Sequence, residues 1–124
     1  MPKLETIEDF IKMVEANEHD KAIENFYTID ASMQENQAEP RIGRDFLVAN
    51  EKNTLLKVKS LVSKCIRPYF INGDQVVIRW YFRFEWKNGT VSEIEEIAYQ
   101  NWEGELIKSE KFFYDPKQFT AISL

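Results

Sequence analysis

Glu35 and Glu96 each fall at an alternate position of a strand-like run whose other inward residues are apolar or aromatic, so the sequence sets two carboxyls against a dry wall. Lost hydration raises the pKa of such a group, and a carboxylate near neutrality can abstract a proton next to a carbonyl. On the last long run, Ile107 to Asp115, the inward register also carries Lys111, whose ammonium would stand beside Glu96. That pair reads in two ways. It is a structural cross-strand ion pair, or, open to a cavity, it holds an anionic or enolate oxygen while Glu96 orients it. The candidate catalytic set is therefore Glu35 as base with Glu96 and Lys111 as the electrostatic partners, and Lys111→Met is expected to lower ligand affinity or turnover more than stability. Glu35 also has a plainer reading, as a solvated residue at the rim of a short edge strand.

Around these charges the predicted ligand wall is Phe26, Tyr27, Met33, Trp80, Phe82, Ile94 and Phe113, with the Tyr27 hydroxyl available to the site. In a curved sheet the ligand wall and the core wall are one surface, so the same rings also read as core. His19, the single histidine, is expected to be exposed between the first two helices, and one histidine with one cysteine makes no metal site. Asp115 precedes Pro116 and reads as a strand end.

These side chains need elements to hold them. Thr6 with Asp9 marks a helix start, and Phe10, Ile11, Met13 and Val14 recur near helical spacing as far as Asn17. A second short helix follows from Lys21 to Tyr27, then a short strand from Asp30 to Gln37 that stops before Pro40, then a third helix from Arg44 to Leu56 after Gly43. The rest is strand: Val58 to Ile71, a turn at Asn72-Gly73-Asp74, and Gln75 to Trp86, where Trp80, Phe82, Phe84 and Trp86 alternate with Arg79, Tyr81, Arg83 and Glu85.

Register follows from the loops. A three-residue loop Lys87-Asn88-Gly89 sets Phe84 opposite Ser92, Phe82 opposite Ile94 and Trp80 opposite Glu96, and it places Arg83 against Glu93 on the outer face. A two-residue turn at Glu103-Gly104 would then put Glu96 opposite Lys111 and Ile94 opposite Phe113. The outer face would carry Tyr81, Ile97, Tyr99, Phe112 and Tyr114, too apolar a set for a wet surface, which predicts a homodimer through that face. The expected architecture is α+β: a long, bent antiparallel sheet closed on one side by two or three N-terminal helices.

Composition narrows the function classes. The 124 residues fit one domain, 1–124, with 44% hydrophobic and 14% aromatic content enough for a sizeable core. A net charge of -5 with no basic stripe argues against nucleic acid. Cys65 stands alone, which fits a reducing cytoplasm, and no uncharged run reaches membrane-spanning length. Asn88-Gly89-Thr90 reads as a turn rather than a glycosylation acceptor.

Three stretches in this order carry a resemblance: Phe26-Tyr27-Thr28-Ile29-Asp30-Ala31-Ser32-Met33, then Glu39-Pro40-Arg41-Ile42-Gly43-Arg44 leading into a helix, then Gly104-Glu105-Leu106-Ile107 running to Phe113-Tyr114-Asp115. With them the chain resembles the nuclear transport factor 2-like superfamily, in particular its SnoaL-like and ketosteroid isomerase-like branch. The resemblance implies a cone-shaped, cystatin-like fold around a hydrophobic pocket, often in a homodimer. By similarity to the isomerases, Glu35 falls at the catalytic base and Glu96 at the protonated acid of the oxyanion hole, a case of one ionised and one neutral carboxyl in a single apolar pocket. Their oxyanion tyrosine aligns here with Phe10 or Ile11, which donate no hydrogen bond. The expected function is binding of a hydrophobic, oxygenated small molecule, with cofactor-free isomerase, cyclase or dehydratase chemistry, or else a non-catalytic binding or dimerisation module of the same fold.

Overall fold

The computed structural model describes residues 1–120 and the backbone of Ile122 and Ser123. Its first helix, α1 (Leu4–Glu15), buries Ile7, Phe10, Ile11 and Val14, the spacing of one helical face. It begins two residues before Thr6, because the Thr6 hydroxyl donates to Glu105 Oε1 at 2.5 Å instead of capping the helix. Helix α2 (His19–Phe26) then runs straight into β1 (Tyr27–Glu35), which starts earlier than the polar residue Asp30 implied. Tyr27, Ala31 and Met33 are consequently buried.

A short β2 (Arg41–Ile42) pairs with β1 and delivers the chain to α3 (Arg44–Leu56). Gly43 makes that junction at φ 105°, a conformation that side chains with a Cβ rarely adopt, while its N–H donates to the Ala31 carbonyl at 2.8 Å. The remaining strands are β3 (Val58–Asn72), β4 (Gln75–Trp86), β5 (Thr90–Glu103) and β6 (Leu106–Phe113), followed by a 3₁₀ turn at Pro116–Phe119 and β7 (Ile122–Ser123) against β5.

The sheet order is β2-β1-β6-β5-β4-β3. Strands β1 and β6 run parallel, so the sheet is mixed where a wholly antiparallel one was expected. The parallel contact joins the strand that follows α2 to the last long strand, and the intervening chain makes the crossover.

β4 alternates as its sequence dictates: Val76, Ile78, Trp80, Phe82 and Phe84 are buried while the residues between them face outward or lie at the margin. The register with β5 is the expected one, with Trp80 opposite Glu96, Phe82 opposite Ile94 and Arg83 opposite Glu93.

The β5–β6 register is not. The turn is Gly104-Glu105, closing Glu103 on Leu106, and the pairing then slips by one residue between Trp102–Ile107 and Asn101–Ser109. Lys108 is the extra residue of this bulge. Because side chains alternate with period two, a one-residue slip exchanges the two faces of everything beyond it. Ile107 points inward as expected, but from Ser109 onward the parity reverses: Glu110 and Phe112 turn in, and Lys111 and Phe113 turn out. Lys111 pairs with Tyr99, not Glu96, and Phe113 pairs with Ile97, not Ile94.

α1 and α2 lie over the concave side. Phe10 sits edge-on to Phe26, Tyr27, Trp80 and Trp102 with ring centroids 5.6–6.4 Å apart. Burying each such ring stabilises the fold by about 4–6 kcal/mol before chain entropy opposes it.

Candidate active site

Between the helices and the concave sheet lies a cavity of about 190 Å³. One wall is the inward row of β4, where Trp80 stacks on Phe82 at 5.6 Å and Phe84 on Trp86 at 5.0 Å. Phe10, Ile94 and Met33 close the apolar part, and four carboxyls reach the lining: Glu35, Glu51, Glu96 and Glu110.

Glu35 ends β1, where it receives Arg41 Nη1 and Nη2, each at 3.4 Å, on Oε1 and the Tyr114 hydroxyl at 3.0 Å on Oε2. Arg41 is placed by the β1–β2 pairing, and its Nε is buried with no hydrogen-bond partner. The Tyr114 hydroxyl is held protonated, with its pKa pushed up to about 12 by burial and then by the adjoining Glu35.

Glu96 projects from β5 beside Trp80 and makes no hydrogen bond to the described residues. Burial, then the fields of Glu110, Glu35 and Glu51, push its pKa to about 8. Near neutrality this carboxyl holds a proton.

Glu110 was not in the sequence-derived set. It is 3% exposed, and it accepts the Gln100 amide on Oε2 at 2.6 Å and the Tyr27 hydroxyl on Oε1. Burial raises its pKa to about 7, against the lowering effect of those two donors. Trp102 Nε1 in turn donates to Gln100 Oε1 at 3.0 Å, which fixes the amide. Tyr27 is pushed well above the usual phenol range by burial and by Glu110.

His19 was expected in solvent, yet its side chain is only 11% exposed and lines the cavity, edge-on to Phe82 at 5.2 Å. Its tautomer follows from its neighbours. Asn17 Nδ2 donates to the Leu61 carbonyl, so Asn17 Oδ1 accepts from Ser63, and the Ser63 oxygen is left to accept from His19 Nε2 at 2.8 Å. Nδ1 then faces Glu51 Oε1 at 3.3 Å. That contact is attractive when a proton lies between the two groups.

The structure thus brings Glu35, Glu96, Tyr27, Met33, Trp80, Phe82 and Ile94 together at one cavity. Phe26 packs on Phe10 beside the cavity and does not line it. Lys111 and Phe113 lie on the opposite face, the Lys111 ammonium 5.0 Å from the Phe113 ring. Phe112 and Tyr114, assigned to the outer face, instead reach the cavity and Glu35. The signal for Phe112 and Glu110 was the second parity of β6, itself apolar at Phe112. Nothing in the sequence marked His19.

No family model and no curated protein matches this sequence. Solved structures do match. A protein from Mesorhizobium loti assigned as a SnoaL-like polyketide cyclase superposes with a TM-score of 0.74 at 20% identity over 89% of this chain and 97% of its own. A protein with a ketosteroid isomerase-like fold from Catenulispora acidiphila, solved with trimethylamine, gives 0.77 at 14% identity over 94% and 89%. TerC, co-crystallised with polyporic acid, gives 0.75 at 11% identity over 94% and 93%. The chain has the cone-shaped α+β fold shared by nuclear transport factor 2-like, SnoaL-like and ketosteroid isomerase-like proteins.

Proposed function

We propose that residues 1–124 form one SnoaL-like domain whose cavity binds a small, largely apolar molecule, with Glu35 as the general base of a cofactor-free proton transfer such as isomerases, cyclases and dehydratases perform. The observation that carries this reading is the contrast between two acids in one aromatic cavity. Glu35 meets a guanidinium and a phenol, partners suited to a carboxylate, whereas Glu96 has no partner among the described residues and holds its proton to about pH 8. Two carboxyls whose surroundings differ in this way can divide the roles of base and acid. Phe10 leaves the isomerase tyrosine's place without a donor, and Glu96, not Lys111, is the remaining proton-bearing group beside the Trp80 wall. Small-molecule complexes of two proteins with this fold support the binding part of the reading.

5-Nitrobenzisoxazole tests the catalytic part, because removal of its ring C–H proton breaks the N–O bond and releases a coloured phenolate. Glu35→Gln is expected to reduce turnover by about 10²-fold or more. Equal turnover in the variant rejects Glu35 as base and leaves the non-catalytic binding module.

The outer face favours an additional assignment, a homodimer. Ile97 and Phe113, paired across β5 and β6, remain 43% and 42% exposed, and Val62 on β3 is 50% exposed. The free, buried Cys65 supports a cytoplasmic setting, and among the described residues no helix is long and apolar enough to cross a membrane.

A further inference from the structure

The charges around the cavity do not balance. Among the described residues its lining carries four carboxyls and, as basic groups, only Arg41 and His19. Arg41 is engaged by Glu35 and His19 by Glu51. Glu110 receives two neutral donors, and Glu96 receives none. Two acids therefore face the cavity without a counter-charge, and one of them has no hydrogen bond from the described residues.

Three of the neutral donors on the lining are also committed. Trp86 Nε1 donates to Ser92 Oγ at 2.9 Å, the Thr54 hydroxyl to the Asn50 carbonyl at 3.3 Å, and the Tyr27 hydroxyl to Glu110. An anion entering this space would meet four carboxyls, and the two basic side chains of the lining already face Glu35 and Glu51. A cation would meet an unpaired carboxyl beside stacked indole and phenyl rings, the surroundings that favour alkylammonium groups through the ring quadrupole.

We infer that the cavity takes a small organic cation, a protonated amine or alkylammonium, with Glu96 as its counter-ion and the β4 aromatic row as its cage. This rests on the reading of the cavity as a ligand site but not on any catalytic step there. It also changes the part that Glu96 plays, from proton donor to counter-ion when the guest is charged. The size is consistent: a dry cavity of about 150 Å³ accommodates benzene, and this one is about 190 Å³.

A pH signature follows. On the cavity lining Glu96 is accompanied by Trp80 from β4, Glu110 from β6, Glu35 from β1, Arg41 from β2, Glu51 from α3 and His19 from α2. Burial, then the fields of Glu110, Glu35 and Glu51, raise the group, which titrates near 8. A bound cation displaces the proton, and its affinity rises with pH until Glu96 is ionised without help.

Three compounds of one shape test this: tetramethylammonium, whose charge does not titrate, neutral tert-butyl alcohol and anionic pivalate, each followed through the indole N–H resonances of Trp80 and Trp86. The expected result is tetramethylammonium binding at least tenfold tighter than either competitor, with affinity at least tenfold higher at pH 9 than at pH 6. Glu96→Gln removes that preference and the pH dependence with it. Tighter binding of the alcohol or of pivalate overturns the cation assignment while leaving a ligand cavity in place. If none of the three perturbs either indole, the cavity reading falls and this inference with it. Should Glu96→Gln fail to fold, a flat pH profile in the unsubstituted protein overturns the proposal by itself.

Discussion

Gln100 Nε2 donates to Glu110 Oε2 at 2.6 Å directly across the β5–β6 ladder, and both residues are buried. The bond locks the register that turns Glu110 inward, because a slip would leave a buried amide and a buried carboxyl without partners.

Glu110→Gln and Glu110→Leu should therefore behave differently. Glutamine, unlike leucine, keeps a carbonyl oxygen that accepts from one of the two donors, Gln100 Nε2 or the Tyr27 hydroxyl. Its stability at about pH 6 should stay within about 1 kcal/mol of the parent. Leucine strands the Gln100 amide and the Tyr27 hydroxyl and should cost about 2–4 kcal/mol. Urea unfolding of both variants checks the pair, and equal costs would contradict the network.

Glu96 and Glu110 give stability a pH dependence of known sign. Their folded pKa values are about 8 and about 7 against 4.5 for the free side chain. The native state thus holds protons that the unfolded chain has released. That contribution is complete below about pH 4.5 and is lost as pH climbs through the folded values. Thermal melts should show Tm falling between about pH 5 and about pH 9, by an amount equivalent to a few kcal/mol or several degrees. Glu96→Gln should match the parent at the acid end and melt higher at the alkaline end. A parent Tm that rises over this interval is incompatible with a half-buried Glu96 that has no partner among the described residues.

How far the sequence reaches depends on whether its two periodic faces differ. β4 is legible because one parity is wholly aromatic and aliphatic and the other carries Arg79 and Arg83. Its register with β5 is legible too, since the Lys87-Asn88-Gly89 loop and the Arg83–Glu93 pair agree on one answer. β6 offers no such contrast. Its odd positions read Ile107, Ser109, Lys111 and Phe113, its even ones Leu106, Lys108, Glu110 and Phe112, so each parity carries apolar residues and charge. A single bulge at Lys108 then decides the outcome, and bulges have no fixed residue type when their backbone stays right-handed. Half of the acid set was therefore readable: Glu35 and Glu96, but not Glu51 or Glu110. His19 escaped for another reason. Its burial depends on Asn17, Ser63 and Glu51, which three separate elements bring to it.

Lys111→Met follows from the corrected register. The side chain lies on the outer face near Phe113, not beside Glu96. The substitution should leave tetramethylammonium affinity within twofold and stability within about 1 kcal/mol, the size of an exposed cation–π contact. A tenfold loss of affinity would restore Lys111 to the cavity.

The exposed Ile97–Phe113 pair sets the test of assembly. Sedimentation equilibrium should give a dimer, and Phe113→Glu should shift it to monomer because a carboxylate there is costly to cover. The Phe113 ring is 42% exposed in the isolated chain, so the variant should keep its fold. A monomeric parent at about 100 μM would dispose of this interface, since a standard-size interface buries about 1,600 Å² and holds at far lower concentrations.

His19 provides the remaining check, and being the single histidine its ring signals are unambiguous. The chain from the Leu61 carbonyl through Asn17 and Ser63 requires the Nε2 proton to point at Ser63. A long-range ¹H–¹⁵N spectrum should show Nε2 protonated in every form of the ring. Nδ1 faces Glu51, so a double-mutant cycle of His19→Gln with Glu51→Gln should give a coupling of about 1 kcal/mol. The pair joins α2 to α3 at the cavity lining, and its loss should loosen the two helices before it affects the sheet. Faster amide exchange confined to α2 and α3 in His19→Gln would be the expected pattern, whereas uniform acceleration through β4 and β5 would mean that His19 supports the core itself.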